Sequence, residues 1–423
     1  MLENVEPIRE RPVSSIVSKT YRHRDVNLDV EVLEEGMSEE ARRSGPCSGL
    51  RVLELGSMVS APLAGQILAD MGAEVIKIEP PEGDPMRRVG PFHKGMGALF
   101  MTVNRGKKSI VLDLKTPRDQ EVAQALASAS DVLLHNMRPR VMERLGLGYA
   151  LLQSTNSKLI YASISGFGES GPYVSKPAYD HVLQGMTGVM YLQGRGGAPE
   201  PIRNLMVDKS TATITASAIL AALLHRERSG GHGQRIDASL LNAFSWFGLT
   251  DNIGNYTFQS PDARKAPALD IHHPLRTRDG WVIGHVQTDD QFAAACRLFG
   301  REDLLDDETW KSAAKRIEQN GEMWRALGAK ATTMTRAEVL ARAESEGVAI
   351  GPIYTLEEFF EDPQVRSSDV YVDYEDPEFG VIRHMNFPVR FGLSTVQVEA
   401  RAPLLGEHTE EILRDTSGGA VRL

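Results

Sequence analysis

Short β-branched segments alternate with helical segments between residues 50 and 165, and this alternation constrains the fold most. Residues 50–56 read as a buried strand, 62–72 have apolar side chains at helical spacing, and 74–79 return to strand character. Strand, helix and strand within about 30 residues is the length of a right-handed βαβ unit. Further strands are expected at 108–114, 131–134 and 159–165. We therefore predict an α/β fold, with a doubly wound and mostly parallel sheet.

The helices between these strands carry their own start signals. Thr116 precedes Pro117, so its hydroxyl can accept from the N–H of Asp119 while Pro117 takes the first helical position. Shorter helices are expected near 141–145 and 149–153. The regular order of strands and helices extends to residue 165.

A sheet of this kind binds ligands beyond the carboxyl ends of its strands. The segment after the first strand, from Gly56 to Gly65, invites a dinucleotide-binding interpretation. It lacks the second and third glycines that let a pyrophosphate approach the backbone. We therefore expect no nicotinamide cofactor.

Composition narrows the class of protein. A chain of 423 residues suggests two or three domains, and 47 Lys and Arg against 57 Asp and Glu give a net charge of −10. That balance argues against nucleic acid as a partner. The longest apolar stretch, 216–224, is far shorter than the roughly 20 residues of a membrane span. With only Cys47 and Cys296, a reducing cytoplasm is the expected location.

Residues 1–46 differ from the rest of the chain. They contain ten acidic residues and seven Lys or Arg, with few large apolar side chains. Their acidity speaks against a mitochondrial transit peptide, and no apolar segment suggests a secretory signal. An extension with little independent structure and an arm that wraps a partner subunit both remain open.

Several strings are more specific than the fold. Residues 62–79 read PLAGQILADMGAEVIKIE, 104–115 read NRGKKSIVLDLK, and 402–409 read APLLGEHT. Between them lie SGFG at 165–168, Gly171-Pro172, Tyr179-Asp180 and Gln184. Together these motifs resemble the family III CoA-transferases (CaiB/BaiF), the group that contains formyl-CoA transferase and carnitine CoA-transferase. The resemblance covers about residues 47 to 415.

The resemblance implies an architecture that spacing does not show. It implies a large Rossmann-like domain built from both halves of the chain, a smaller α+β domain and an interlocked, ring-shaped homodimer. We expect an extension at 1–46, the large domain at 47–260, the small domain at 270–350 and a return to the large domain at 351–423. Asp279-Gly280 suits a two-residue turn in a hairpin over 275–286, with helices at 289–299 and 324–345.

Asp208 lies at or beside the start of an apolar helix over about 210–228. One interpretation is an N-cap, for which Asp is a preferred residue. The other is a nucleophile, because a helix N-terminus stabilises the ionised carboxylate that attacks. The two roles share one position, so the sequence does not separate them.

The resemblance favours the nucleophile, since Asp208 matches the catalytic aspartate of the family. The implied reaction moves CoA from an acyl-CoA to a free carboxylic acid through an anhydride and then a thioester on Asp208. One thioester replaces another, so neither ATP nor a metal is required. CoA is part of the substrate, and no tightly bound cofactor or metal site is expected.

Cationic side chains near strand ends are candidates for the CoA phosphates. A first set contains Lys115, Arg138, Arg140 and Arg144, and a second contains Arg87, Arg88, Arg105, Lys107 and Lys108. A solvated surface charge is the alternative for each. By resemblance, the CoA-binding positions are Val59, Ser60, Leu112, Asp113, Leu114, Lys115, Asn136, Met137, Arg138, Arg144, Tyr179 and Asp180.

Two departures from the family matter. Some members carry a glycine-rich loop over the catalytic aspartate, and no such run occurs between Ser260 and Gly284. The α-methylacyl-CoA racemases have a His just before the Asp that matches Asp180, and this chain has Tyr179. A phenol is a poor general base near neutrality, so a transferase is favoured over a racemase.

Two rival functions stay open: a racemase-type isomerase and a non-catalytic acyl-CoA-binding homologue. Other chemistry has little support. His272-His273 lacks a third ligand at a useful spacing, so a surface role is expected. Serine hydrolase chemistry would require a G-x-S-x-G motif, which the sequence lacks. Cys296 lies on an apolar helical face, where a core role is expected.

Overall fold

The computed structural model describes residues 19–23, 26–30, 45–194, 197–265, 273–396, 398 and 400–417. Most of the 1–46 extension and His272 lie outside these ranges, as does part of the 260–284 segment. Within the extension, the backbone of 19–23 pairs antiparallel with that of 26–30. This hairpin is not among the elements predicted from the sequence.

The strands are β1 (Lys19–His23), β2 (Val26–Val30), β3 (Arg51–Leu55), β4 (Glu74–Glu79), β5 (Phe92–His93), β6 (Met96–Gly97), β7 (Lys108–Val111), β8 (Val132–His135), β9 (Ile160–Ser165), β10 (Arg235–Ser239), β11 (Leu275–Arg276), β12 (Trp281–His285), β13 (Ala349–Pro352), β14 (Tyr371–Asp376) and β15 (Gly380–Met385).

The α-helices are α1 (Ser60–Asp70), α2 (Ala98–Asn104), α3 (Pro117–Ser128), α4 (Val141–Arg144), α5 (Tyr149–Thr155), α6 (Asp180–Met186), α7 (Val189–Gln193), α8 (Met206–Arg228), α9 (Leu240–Leu249), α10 (Gly254–Thr257), α11 (Asp289–Phe299), α12 (Ala313–Glu318), α13 (Asn320–Leu327), α14 (Arg336–Glu346), α15 (Leu356–Glu361), α16 (Pro363–Ser367) and α17 (Thr409–Ser417). Single 3₁₀ turns cover Pro85–Arg88, Glu302–Leu305 and Gly328–Thr333.

A six-stranded parallel sheet, in the order β10-β9-β8-β3-β4-β7, organises the first part of the chain. Its central strands are buried on both faces, with Leu53, Leu133 and Ile160 fully buried. Thr116 caps α3 as predicted, and its Oγ1 accepts from the N–H of Asp119 at 3.3 Å. The prediction of an α/β fold with a central parallel sheet is confirmed.

The strand order reverses at β3, and this reversal places a crevice at the carboxyl ends of the strands. From β3 the chain runs through β4 to β7 on one side, then returns to β8 on the other side and continues to β9 and β10. The segments that follow β3 and β8 therefore diverge at the carboxyl ends of neighbouring strands. Such a switch point is where open α/β sheets bind their ligands.

The edge strand β7 is covered by a segment from near the C-terminus. The N–H of His408 donates to the carbonyl of Ser109 at 3.0 Å, and the N–H of Val111 donates to Thr409 Oγ1 at 3.2 Å. The hydroxyl of Ser109 accepts from the N–H of Gly406 at 3.0 Å. We refer to residues 402–409 as the edge cover.

The chain divides into two compact units, one made of 1–184, 201–243 and 372–423, the other of 185–200 and 244–371. The first unit contains the parallel sheet. The second contains an antiparallel sheet in the order β11-β12-β13, with a core that includes Phe299, Trp324 and Cys296. Residues 351–371 thus belong to the second unit, and the boundary expected at residue 350 is corrected, because Pro352 pairs with Val282 inside that sheet.

Two local predictions in the second unit need correction. The helix expected over 324–345 is interrupted: α13 ends at Leu327, and α14 begins after Thr335, which forms a capping box with Glu338. The hairpin is present, but the N–H of Thr277 bonds the carbonyl of Gly280 at 3.0 Å. Arg278 and Asp279 therefore occupy the centre of the turn, one residue earlier than expected.

Helix α8 is long and apolar enough, by length and composition alone, to cross a membrane. In the structure it lies against α1, with Ala212, Ala216 and Ile219 buried. A core helix of a globular domain passes the same test. This packing places the first turn of α8 beside the N-terminus of α1.

Candidate active site

A cavity of about 240 Å³ opens at the switch point of the parallel sheet. It lies beyond the carboxyl ends of β3, β8 and β9 and includes the first turn of α8. Its lining residues are Ser57, Met58, Ser60, Asn136, Met137, Arg138, Pro139, Ile164, Ser165, Gly166, Val174, Lys176, Ala178, Tyr179, Asp208 and Leu240. The cavity thus combines one carboxylate with several cationic and hydrogen-bonding side chains.

Asp208 lies inside the first turn of α8, and its side chain does not cap the helix. The cap comes from Asp180, whose Oδ2 accepts from the N–H of Val207 at 2.8 Å and from the N–H of Asp208 at 3.1 Å. Gln184 Nε2 donates to the other oxygen of Asp180 at 2.7 Å. The N-cap interpretation of Asp208 is therefore wrong, and the Asp208 carboxylate is left to face the cavity.

The surroundings of Asp208 make its carboxyl group hold a proton more tightly than an ordinary aspartate. Burial, and after it the negative charge of Asp180, raise the pKa of Asp208 to about 6. A hydrogen bond from the Ser60 hydroxyl acts in the opposite direction and lowers this pKa. At pH 7 the group is mainly ionised, while its basicity exceeds that of a solvated carboxylate.

Asn136, directly after β8, ties the two sides of the switch point together. Its Oδ1 accepts from the N–H of Ser57 at 3.0 Å, and its Nδ2 donates to the carbonyl of Ser57 at 2.7 Å. The same Nδ2 donates to Ser60 Oγ at 3.2 Å. The loop after β3 is thereby fixed to the loop after β8.

The loop after β3 has a strained backbone at the mouth of the cavity. Met58 has a φ of 66°, in the left-handed region that side chains other than glycine rarely adopt. Its N–H donates to Asp84 Oδ1 at 3.3 Å, and that oxygen also accepts from the N–H of Met86 at 2.9 Å. Strain of this kind concentrates at functional sites, where the surrounding structure holds it in place.

A buried ionic cluster, made of Glu54, Lys77, Asp84 and Lys107, lies under this loop. Lys77 Nζ is 2.9 Å from Glu54 and 3.0 Å from Asp84, and Lys107 Nζ is 2.7 Å from Glu54. The two ammonium groups also donate to the carbonyls of Gly56 at 2.6 Å and Pro62 at 2.7 Å. The ionic cluster therefore holds both ends of the loop that carries Ser60.

The charges in the ionic cluster respond differently to burial. Desolvation lowers the pKa of Lys107 to about 8, against the raising effect of Glu54. Desolvation also opposes the charge of Lys77, but Glu54, Asp84 and Glu79 together raise its pKa. The carboxylates hold Lys77 firmly in its charged form.

The structure brings only some of the predicted CoA-binding residues together. Ser60, Asn136, Met137, Arg138 and Tyr179 line the cavity with Asp208. Those that do not line it are Val59, Leu112, Asp113, Leu114, Lys115, Arg144 and Asp180. Leu112 belongs to the apolar core, and Asp180 is buried against α8. Their sequence motifs are present, but this cavity is not built from their side chains.

Most of the second set of cations has structural partners. Lys107 belongs to the ionic cluster, Arg105 pairs with Asp70 at 2.7 Å, and Arg87 pairs with Glu79 at 2.7 Å. A phosphate contact and a solvated surface charge were the two roles expected for these residues. Both interpretations are wrong for Lys107 and Arg105, whose side chains are buried.

Lys176 lines the cavity, although it is not among the residues predicted from the sequence. Its Nζ lies 3.6 Å from the centroid of the Tyr173 ring, in an exposed loop before Tyr179. A lysine three residues before a motif tyrosine was the available signal. With Arg138 it gives the cavity mouth two exposed cations.

Comparison with known proteins agrees with this geometry. Residues 47–409 match the family model of CoA-transferase family III. A succinate–glutarate CoA-transferase of Agrobacterium fabrum is 36% identical, over 90% of this chain and 98% of that protein. The mouse succinyl-CoA:glutarate CoA-transferase is 32% identical, over 88% and 86% of the two chains.

The fold is shared with a solved structure as well. The crystal structure of a CaiB/BaiF family protein from Brucella suis superposes with a TM-score of 0.78 at 33% identity, over 88% of this chain and 100% of that one. The resemblance stated from the motifs is therefore confirmed, and so is the expectation of a CoA-transferase. A carboxylate at the switch point of this sheet, in a chain so closely related over its length, assigns the protein to CoA-transferase family III.

Proposed function

We propose that the protein transfers CoA from an acyl-CoA to a free carboxylic acid through a covalent intermediate on Asp208. The main support is the Asp208 carboxylate, which faces the cavity, accepts a hydrogen bond from Ser60 and has a raised pKa. The names of the relatives mention succinate, succinyl-CoA and glutarate. Small dicarboxylic acids are therefore the proposed acyl groups.

In the proposed reaction, ionised Asp208 attacks the thioester carbonyl carbon of the acyl-CoA. The C–S bond breaks, CoA leaves as the thiolate, and a mixed anhydride with Asp208 remains. The thiolate then attacks the aspartyl carbonyl and releases the first acid, which leaves an aspartyl–CoA thioester. An acceptor carboxylate then attacks the aspartyl carbonyl of this thioester and displaces the CoA thiolate, which leaves a second mixed anhydride. The thiolate attacks the acceptor's carbonyl carbon in that anhydride, so the new acyl-CoA forms and Asp208 is released as a carboxylate.

For CoA binding we propose the residues that line the cavity, namely Ser60, Asn136, Met137, Arg138 and Tyr179, together with Lys176. Arg138 and Lys176 would meet the phosphates as exposed cations. Val59, residues 112–115, Arg144 and Asp180 stay predictions from the resemblance. For Asp180 we propose an indirect role, since it caps the helix that carries Asp208.

We also propose the interlocked homodimer and a cytoplasmic location. The order β7-β4-β3-β8-β9-β10 is that of a doubly wound, Rossmann-like sheet, in keeping with the proposed architecture. Large aromatic side chains of the second unit are exposed, among them Trp246 at 70%, Tyr256 at 71% and Phe258 at 75%. Three large aromatic side chains exposed within 13 residues of the chain support a contact with a second subunit. The thiols of Cys47 and Cys296 are free and buried, which is in keeping with the proposed reducing compartment.

The test is incubation of the purified protein in D₂O with a panel of acyl-CoAs and free dicarboxylic acids, with every CoA ester followed by mass. We expect a new CoA ester without deuterium in its acyl chain. Asp208→Asn should lose the transfer while keeping its fold, because the amide is not a nucleophile and is close to the carboxylate in size. Circular dichroism checks the fold of the variant.

The other outcomes identify the rival functions. Deuterium uptake without a new ester would mean that the protein is an isomerase and that Tyr179 does not disqualify it. Binding of acyl-CoA by wild-type protein, with neither exchange nor transfer, would identify a non-catalytic homologue. Near-normal transfer by Asp208→Asn would show that the nucleophile is another group.

A further inference from the structure

The Ser60 hydroxyl is placed between two partners that together fix the direction of its proton. Its oxygen accepts a hydrogen bond from Asn136 Nδ2 at 3.2 Å. Ser60 and Asp208 line the same cavity, where a hydrogen bond from the Ser60 hydroxyl to the Asp208 carboxylate lowers the pKa of Asp208. A carboxylate only accepts when ionised, so the proton of this bond comes from Ser60. Ser60 is 4% exposed, so bulk water competes little for the hydroxyl.

The orientation of the Asn136 amide is itself determined. Its Oδ1 must face the N–H of Ser57, and its Nδ2 must face the carbonyl of Ser57, at 3.0 and 2.7 Å. An inverted amide would place Oδ1 against the carbonyl oxygen of Ser57, and Nδ2 against its N–H, so neither pair could form a hydrogen bond. The amide nitrogen therefore remains on the side of Ser60, where it occupies the acceptor position of the hydroxyl.

The backbone that carries Ser60 is held from below by the ionic cluster. Lys77 bonds the carbonyl of Gly56, Lys107 bonds that of Pro62, and Asp84 bonds the N–H of Met58. These three contacts lie on both sides of Ser60 along the chain. The hydroxyl is thus presented from a preorganised loop, as efficient electrostatic stabilisation of a transition state requires.

The proposed reaction develops negative charge on Asp208 twice. When the CoA thiolate attacks the anhydride at the aspartyl carbonyl, the C=O electron pair moves onto the aspartyl oxygen. When the acceptor carboxylate attacks the aspartyl–CoA thioester, the same oxygen again takes the charge. In the opening step, by contrast, the charge develops on the substrate carbonyl.

We propose that Ser60 is a catalytic residue whose hydroxyl donates a hydrogen bond to the aspartyl carbonyl oxygen of the Asp208 intermediates. This role rests on the proposed covalent reaction and adds a residue to it. In the first tetrahedral species the bond from the aspartyl carbon to the bridging anhydride oxygen breaks, and the acid leaves as a carboxylate. In the second, the C–S bond breaks and thiolate leaves. Ser60 keeps its proton in both.

The experiment compares wild-type protein with Ser60→Ala and with Ser217→Ala, whose exposed hydroxyl bonds the carbonyl of Thr213 on the same helix as Asp208. Steady-state transfer from succinyl-CoA to glutarate is measured across pH 5 to 9. For Ser60→Ala we expect kcat to fall about 10²-fold, as for removal of one oxyanion donor. The KM for succinyl-CoA should change much less, since the bond strengthens only in the transition states.

The pH profile separates this role from a structural one. Without the hydrogen bond from Ser60 the pKa of Asp208 rises, so the acid limb of kcat/KM should move to higher pH. Ser217→Ala should leave kcat and the limb unchanged. A Ser60→Ala kcat within about threefold of wild type, or a loss confined to KM or thermal stability, would overturn the proposal.

A mass measurement tells failure of this proposal from failure of the covalent reaction. Wild-type protein mixed with succinyl-CoA alone, then quenched, should carry CoA on Asp208, and Ser60→Ala should acquire this adduct about 10²-fold more slowly. An adduct that forms equally fast in both proteins would overturn the role of Ser60 alone. Absence of any adduct from active wild-type protein would overturn the covalent reaction and the role of Ser60 with it.

Discussion

The carboxyl ends of β3 and β7 lie on the same side of one parallel sheet, yet the segments that follow them have different surroundings. The segment after β3 opens into the cavity and carries Ser60 beside Asp208. The segment after β7 turns into the core at Leu112, and the strand before it is bonded by the edge cover. Both were predicted to bind CoA. The difference shows that adjacency to the switch point, more than side-chain chemistry, decides which strand end lines the cavity.

The interior under the two segments differs in the same way. Beneath the β3 loop lies the ionic cluster, whose four side chains are almost completely removed from solvent. At the β7 end, Lys115 is exposed, and the N–H of this residue bonds Asp113 Oδ1 at 3.1 Å in a local turn. Charge under the β3 loop is thus structural, and charge at the β7 end is on the surface.

The sharpest test of this contrast is stability. Lys77→Met removes one ammonium group, which leaves Asp84 without its lysine partner and Glu54 with Lys107 alone, so the free energy of unfolding should fall by about 3–5 kcal/mol. Lys115→Met, the matched change at the β7 end, should stay within about 0.5 kcal/mol of wild type. Urea unfolding followed by circular dichroism measures both. Equal losses in the two variants would contradict the distinction.

The expected effect of cavity substitutions on the KM for the acyl-CoA is smaller. Arg138 lines the cavity and Arg144 does not, although both were predicted to bind CoA. For Arg138→Ala we expect the KM for the acyl-CoA to rise roughly fivefold, which corresponds to about 1 kcal/mol for an exposed ion pair. Arg144→Ala should change KM by less than twofold. A larger effect at Arg144 would place the CoA phosphates outside this cavity, near the end of α4.

The smallest effect is a displacement of the pH profile. Asp180→Asn removes a negative charge beside Asp208 and keeps an amide oxygen able to cap α8. Because that charge helps to raise the pKa of Asp208 to about 6, the pKa should fall and the acid limb of kcat/KM should move to lower pH. Asp113→Asn at the β7 end serves as the control. An acid limb that stays in place in Asp180→Asn would mean that Asp180 does not act on Asp208 through its charge.

Much of the fold could be predicted from the sequence because the patterns that specify strands and helices are local. Strand and helix periodicity placed β3, α1 and β4 to within one or two residues, and Thr116 identified the start of α3. The interruption between α13 and α14 was missed because the residues around 328–335 have no strong helix breaker besides Gly328. What separates the helices is the cap at Thr335.

The site was only partly accessible, since its decisive contacts join distant segments. Asp208 was predicted from its position and its motif. The residue that caps its helix, Asp180, is 28 residues away in the chain, and the Asn136–Ser60 bond spans 76 residues. Lys107 looks like a surface cation in a basic string, and only the fold buries it against Glu54. Local chemistry predicts which residues are reactive, and tertiary packing decides what they touch.

The edge cover also has a consequence for the making of the protein. Thr409 of the edge cover lies 298 residues after Val111 of β7 in the chain, so during synthesis the open side of β7 has no partner until this later segment has been made. An unpaired sheet edge is a template for pairing with another chain. A nascent or truncated chain that stops before residue 402 thus exposes this edge. Such a chain should aggregate more readily than one that contains residues 402–409, unless another protein covers the edge.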